Sequence, residues 1–238
     1  MIALLLALGC RPEPEACVPP VVLAASDLQH ALTELGELYR QRVGCAPLLS
    51  FGSTGAYTSQ IEQGARADLF FAANASFIDR LQSQALLHED SRMVYGTGRL
   101  VLVGSAAPPP SLASLTDPGI RYLAIANPEH APYGLAAQQA LQASGLWEEV
   151  QPRLVRGENI AQTWQLVQTG NADAGIVALS LVVESTPYTL IDSSLHEPLV
   201  QVAAVPRSAE HPQAGRDFLA FVMAPEGRAV LQRYGFGP

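Results

Sequence analysis

From Pro20 onward, short apolar runs alternate with amphipathic segments, and this alternation restricts the possible folds more than any other feature of the chain. Val21–Ala25 is the first apolar run, and the segment after it repeats apolar residues at helical spacing from Leu28 to Leu38. Such alternation is typical of α/β proteins, in which helices cover mostly parallel sheets. We therefore predict an α/β fold in which each sheet is mostly parallel.

The strand–helix units form two comparable groups, one before residue 95 and one between residues 121 and 180. The helices predicted near the C-terminus return to the first group. We therefore expect two lobes with a ligand cleft between them. The predicted boundaries are 1–19 for a leader and tether, 20–97 plus 200–238 for lobe I, and 98–199 for lobe II.

Four strand-to-helix joints share one character, because each places small or polar residues where a helix begins. They are Ala24–Leu28, Phe51–Gly55, Asn127–Gly134 and Arg156–Ala161. The first N–H groups of a helix lack intrahelical partners and lie at the positive end of its dipole, so they can bind an anion. The alternative is that these residues only cap their helices. Asp27 is interpreted as such a cap, since its charge would repel an anion.

The charged residues exclude several functional classes. All 14 basic residues are arginine, and the net charge is −8, so we expect no surface for nucleic acid or for an anionic membrane. The chain also lacks the lysine that a P-loop requires. A cleft that offers N–H and O–H donors without a fixed cation suits a fully deprotonated tetrahedral oxyanion, which only accepts hydrogen bonds.

The N-terminus has the character of an export signal. Met1–Gly9 is almost wholly apolar and too short to span a bilayer, and Leu6–Cys10 resembles a bacterial lipobox, in which Cys10 would be lipidated. The alternative is a plain signal peptide that is cleaved nearby. Cys17 and Cys45 each precede a predicted strand, so an exported protein could join them in a disulfide; two buried free thiols are the alternative.

Several motifs resemble those of the periplasmic molybdate-binding proteins of ABC importers, and they occur in the same order over residues 20–238. The motifs are Ala24–Leu28, Phe51–Gly55, Gln60–Phe70, Asn127–Gly134, Glu158–Gln162, Gly170–Ser180 and Arg233–Phe236. The resemblance implies a type II periplasmic-binding-protein fold that closes on its ligand like a hinge. It implies molybdate, and usually tungstate, as the ligand. Molybdenum or tungsten would then be present only within the oxyanion, with no cofactor and no catalytic residue.

The resemblance also assigns site residues by position. Ser26, Ser53 and Thr54 would supply hydroxyl and backbone donors, and Tyr133 and Ile160 would donate backbone N–H groups. His130 corresponds to a structural loop residue of the family. This chain has Ala178 where some members place a ligand-binding tyrosine, and Thr54 where serine is common.

The same resemblance implies a periplasmic protein whose partner is the membrane permease of an ABC transporter. We expect this protein to be a monomer that is anchored to the membrane by lipid through Cys10. Two alternatives stay open at this point. One is a binder of sulfate or another tetrahedral oxyanion. The other is an enzyme on the same two-lobed fold, which would place a titratable group or a covalent nucleophile in the cleft.

Overall fold

The computed structural model describes residues 17–104, 111–182 and 186–238, and the predicted lipidation site Cys10 lies outside them. The described strands are β1 (Val21–Ala25), β2 (Leu48–Gly52), β3 (Leu69–Ala72), β4 (Met93–Gly98), β5 (Leu100–Gly104), β6 (Leu123–Ala126), β7 (Leu154–Gly157), β8 (Ala174–Ala178), β9 (Tyr188–Leu190) and β10 (Leu199–Ala204). The described α-helices are α1 (Gln29–Val43), α2 (Thr54–Glu62), α3 (Ala75–Ser83), α4 (Pro132–Ala143), α5 (Trp147–Val150), α6 (Ile160–Gln168), α7 (Pro212–Met223) and α8 (Pro225–Arg233).

The strands form two five-stranded sheets, each at the centre of one lobe. The sheet of lobe I has the order β2-β1-β3-β10-β4, and the sheet of lobe II has the order β7-β6-β8-β5-β9. The chain crosses from lobe I to lobe II between β4 and β5, and β10 returns it to lobe I. The prediction of a two-lobed α/β fold is therefore confirmed.

The prediction that each sheet is mostly parallel is wrong, because both sheets are mixed. In lobe I, β1 pairs in parallel with β2 and β3, whereas β10 pairs antiparallel with β3 and β4. Lobe II repeats this division, with parallel pairs around β6 and antiparallel pairs around β5. In lobe I the physical reason is the crossover: β4 leaves the lobe where β10 enters it, so the two strands must run in opposite directions.

Alternate residues of the lobe I strands pack into two separate hydrophobic cores, one on each face of the sheet. Val22 and Phe71 pack under α1, α7 and α8, whereas Leu23 and Phe70 face α2 and α3. This is the side-chain alternation that a sheet covered on both faces requires. β2 is less buried than β1 and β3, since it forms the edge of the sheet and leaves Leu48 58% exposed.

A disulfide joins Cys17 to Cys45, with a Cα–Cα distance of 5.9 Å. Both cysteines lie just before the starts of β1 and β2, which are parallel neighbours paired from Val21 and Leu48 onward. The disulfide therefore links the segments that lead into β1 and into the edge strand β2 of lobe I. Among the described residues, no helix combines the length and apolar character needed to cross a membrane.

Candidate functional site

Residues from all four strand-to-helix joints surround one small cavity between the lobes. Its volume is about 10 Å³. The lining residues are Ala25, Ser26, Asp27, Gly52, Ser53, Thr54, Ala73, Ala131, Pro132, Tyr133 and Ile160. All five residues predicted to bind the oxyanion are among them, and none of the lining residues carries a positive charge.

The second joint orients two hydroxyl groups of lobe I. Helix α2 begins at Thr54, and Ser53 is its N-cap. Ser53 Oγ accepts a hydrogen bond from the Ala56 N–H at 3.2 Å, and Thr54 Oγ1 accepts one from the Ala73 N–H at 3.1 Å. Each oxygen is therefore held as an acceptor by the backbone, which leaves its proton available for donation.

The first and fourth joints meet across the cleft at Ser26. Ser26 Oγ accepts a hydrogen bond from the Ala161 N–H at 3.2 Å and lies 3.1 Å from Asn159 Oδ1, to which it donates. Asn159 is the N-cap of α6 and also accepts from the Gln162 N–H at 3.0 Å. Ile160 is the first residue of α6, so its N–H has no intrahelical acceptor.

The third joint brings the start of α4 to the cavity. Pro132 occupies the first helical turn, where its missing N–H costs nothing, and the next N–H, that of Tyr133, has no intrahelical acceptor. Gly134 allows this approach, because a Cβ there would overlap the carbonyl oxygen of Ala126 at the end of β6. The Tyr133 hydroxyl lies behind the cavity and accepts from Gln201 Nε2 at 3.1 Å.

The interpretation of Asp27 as a helix cap is wrong. The 3₁₀ turn Ser26–Leu28 has no side-chain cap, and the fully buried Asp27 carboxyl instead lines the cavity. Its Oδ2 accepts from Gln201 Nε2 at 2.9 Å, and its Oδ1 has no hydrogen-bond partner among the described residues. Burial raises the pKa of Asp27 to about 6, opposed by hydrogen bonds from Tyr133, Gln201 and nearby backbone N–H groups. The cavity therefore contains an ionisable carboxyl that the sequence interpretation had excluded.

Two further residues escaped the sequence interpretation because their partners are distant in the chain. Gln201, in β10, is buried and links Asp27 to both Tyr133 and Tyr95. His130, which was interpreted as a loop residue, contacts Ser53 of lobe I through its ring. The position of His130 in the third joint was a local signal for that residue, whereas no local pattern pointed to Gln201.

A wider groove of about 720 Å³ adjoins the cavity at Ser26 and has residues of both lobes on its walls. Its walls are rich in glutamine, including Gln29 of lobe I and Gln162 and Gln165 of lobe II. No cluster of three or more histidine, cysteine, aspartate or glutamate side chains that could hold a metal ion occurs within 17–104, 111–182 and 186–238. The groups that can donate hydrogen bonds to an anion at the cavity are the hydroxyls of Ser26, Ser53 and Thr54 and the first N–H groups of α4 and α6, all of them neutral.

Comparisons with known proteins agree with this geometry. The profile of a family described as bacterial extracellular solute-binding protein matches residues 20–237. The molybdate-binding protein ModA of Azotobacter vinelandii is 34% identical over 224 residues, which cover 91% of this chain and 88% of that protein. A putative ABC transporter substrate-binding lipoprotein of Bacillus subtilis, YvgL, is 28% identical in an alignment of 248 positions that covers 99% of this chain and 95% of that protein.

The structure of the periplasmic molybdate-binding protein of Azotobacter vinelandii superimposes on this chain with a TM-score of 0.87 and 29% identity. The alignment covers 92% of this chain and 99% of that chain. The similarity thus extends over most of both chains, and the residues matched by the family profile include all four joints.

Proposed function

The chain belongs to the family of bacterial extracellular solute-binding proteins, and on this basis we propose that it captures molybdate or tungstate and delivers the oxyanion to the permease of an ABC importer. The observation that carries the proposal is the convergence of Ser26, Ser53, Thr54, Tyr133 and Ile160 on one cavity without a positive charge. The protein would act as a monomer with lobe I at 20–97 plus 200–238 and lobe II at 98–199.

Neutral donors can supply enough affinity for this role. Each hydrogen bond to a charged group contributes about 1.5–3 kcal/mol, so several together give tight binding. A buried cation would add attraction, but it would be costly to keep when the site is empty. The Ser53 and Thr54 hydroxyls already have backbone N–H groups on their oxygens, which supports their role as donors to the ligand.

The proposal describes a binding protein and assigns no reaction to it. The relatives named above are transport proteins, and this supports the same role here. Asp27 is a titratable group in the cavity, as an enzyme would require. However, its Oδ2 accepts a hydrogen bond from Gln201, and among the described residues no serine or cysteine that could act as a nucleophile is hydrogen-bonded to its carboxyl.

We further propose that Cys10 carries the lipid anchor of an extracytoplasmic protein. The lipobox-like sequence and the lipoprotein relative from Bacillus subtilis support this location. Intact mass of the protein extracted from membranes tests the anchor. A diacylglyceryl mass that disappears in Cys10→Ser would support it, and an unmodified soluble mature chain would refute it.

Titration calorimetry of the mature protein with molybdate, tungstate, sulfate and phosphate tests the ligand. We expect tight binding of molybdate and tungstate and weaker binding of the other two anions. Sulfate binding that equals or exceeds molybdate binding would overturn the assignment and favour a sulfate-binding protein.

A double variant tests whether the second joint binds the ligand. Replacing Ser53 and Thr54 together by alanine should weaken molybdate binding by about 3–6 kcal/mol, since two hydrogen bonds to a charged group are lost. Ser76→Ala is a matched control, because Ser76 is an exposed serine near the start of the neighbouring helix α3. If the double variant binds as well as the control, the joint only caps its helix.

A further inference from the structure

His130 of lobe II makes two contacts with the anion-binding joint of lobe I. Its ring Nδ1 lies 3.0 Å from Ser53 Oγ, and its backbone oxygen accepts a hydrogen bond from the Gly55 N–H at 2.8 Å. Both contacts cross the cleft between the lobes. The close approach of the two segments requires glycine at position 55. A Cβ there would lie 2.7 Å from the His130 oxygen.

The neighbouring Asn127 determines which ring nitrogen of His130 carries the proton. Asn127 Oδ1 accepts from the Glu129 N–H at 3.2 Å, so its Nδ2 is the atom that faces His130 Nε2 at 3.1 Å. An amide nitrogen only donates, so Nε2 must accept. The Glu158 carboxylate is 3.6 Å from the same Nε2, which is beyond hydrogen-bonding distance. The proton of the neutral ring is therefore on Nδ1, and Nδ1 donates to Ser53.

This donation fills the second acceptor position of Ser53. A hydroxyl oxygen has two lone pairs and one proton. The Ala56 N–H already occupies one lone pair at 3.2 Å, and the His130 Nδ1–H occupies the other. The hydroxyl can then act only as a donor, and Ser53 lines the cavity.

We propose that His130 is a positioning residue that turns the Ser53 hydroxyl toward the bound oxyanion when the lobes close. The inference rests on the proposed function, because it needs an anion in the cavity. Without the contact from lobe II, one acceptor position of Ser53 is open and its proton is free to rotate. Closure of the lobes thus fixes the direction of the Ser53 hydroxyl proton, which the contacts within lobe I alone do not.

The same tautomer argues against a serine hydrolase. A general base must take the proton of the serine through an unprotonated ring nitrogen. Here the nitrogen next to Ser53 carries the proton, and the unprotonated nitrogen faces Asn127. The pair is arranged to make Ser53 a donor and not a nucleophile.

A double-mutant cycle on molybdate affinity tests the proposal. His130→Leu should weaken binding roughly tenfold in the wild-type background, the effect of one lost hydrogen bond, and less than twofold in Ser53→Ala. His130→Asn should bind within about threefold of the wild type, because its amide Nδ2 can take the place of Nδ1 as a donor. His211→Leu is the control, since His211 is exposed and does not line the cavity.

Equal effects of His130→Leu in both backgrounds would overturn the proposal and leave His130 a packing residue. Failure of the wild type to bind molybdate would instead overturn the proposed function, so the two failures can be distinguished. Nitrogen NMR of the histidine ring in the molybdate complex gives an independent readout. A proton on Nδ1 supports the proposal, and a proton on Nε2 alone refutes it.

Discussion

Replacing Asp27 by asparagine should change how the stability of the ligand-free protein depends on pH. Burial raises the pKa of Asp27 from 3.8 to about 6, and this difference corresponds to about 3 kcal/mol at 1.36 kcal/mol per pKa unit. Because the folded protein binds the proton more tightly than the unfolded chain, stability falls as pH rises through the interval between these two values. Above about pH 6 the folded protein carries the full free-energy cost of a buried, ionised Asp27, and below about pH 4 most of this cost is absent because the carboxyl is protonated.

Asparagine removes this titration while it keeps an oxygen that can accept from Gln201. The variant also buries an amide N–H₂ group, which changes the free energy of unfolding by an amount that does not vary with pH. We therefore expect the stability of Asp27→Asn, relative to the wild type, to rise by about 2 kcal/mol between pH 4 and pH 7.5, most of the 3 kcal/mol derived above.

Urea unfolding of both proteins at several pH values measures this difference. Asp68→Asn is the matched control, because the buried Asp68 carboxylate accepts the backbone N–H groups of Val21 and His211 at 2.8 and 2.7 Å. Asparagine keeps one acceptor oxygen, but its amide nitrogen cannot accept the other of these two hydrogen bonds, so this variant should be less stable than the wild type at pH 7.5. A stability difference between Asp27→Asn and the wild type that stays constant from pH 4 to 7.5 would refute the reasoning.

Three further predictions concern Asp27, Gly55 and the disulfide. Molybdate affinity of the wild type, measured by calorimetry, should fall as pH rises through about 6, because ionised Asp27 then repels the dianion, and Asp27→Asn should remove this dependence. Gly55→Ala should weaken molybdate binding at least tenfold with little change in the melting temperature of the ligand-free protein, because its Cβ would lie 2.7 Å from the His130 oxygen and prevent closure. Replacing both Cys17 and Cys45 by alanine should lower the unfolding free energy by about 3.6 kcal/mol in denaturant titrations, since the bond closes a loop with a sequence separation of 28 residues.

The sequence predicted the elements whose residues alternate or repeat clearly. It missed β4, in which two glycines and an exposed Met93 break the alternation, and the three-residue strand β9. It also could not show strand direction, because the local pattern of a strand is the same whichever way its neighbour runs. The mixed sheets result from the path of the chain between the lobes, and the sequence of a single segment does not show that path.

Within the site, local sequence predicted the helix starts but not the partners of their side chains. Asp27 has the local pattern of a helix cap, and its partner in the structure, Gln201, lies 174 residues later in the chain. The contact of His130 with Ser53 spans 77 residues in the same way. Contacts of this kind depend on how the two lobes meet, so periodicity and residue type do not reveal them.

Ser26 and Ser53 occupy comparable positions in the cavity, yet the structure predicts that they contribute unequally to affinity. The Ser26 hydroxyl already donates to Asn159 Oδ1 at 3.1 Å, so binding an oxyanion exchanges one hydrogen bond for another. Asn159 keeps the Gln162 N–H after the exchange. The Ser53 proton has no such acceptor to give up, because its oxygen contacts only donors. Ser53→Ala should therefore weaken molybdate binding several-fold more than Ser26→Ala in calorimetry, and equal losses would show that the Asn159 contact does not compete with the ligand.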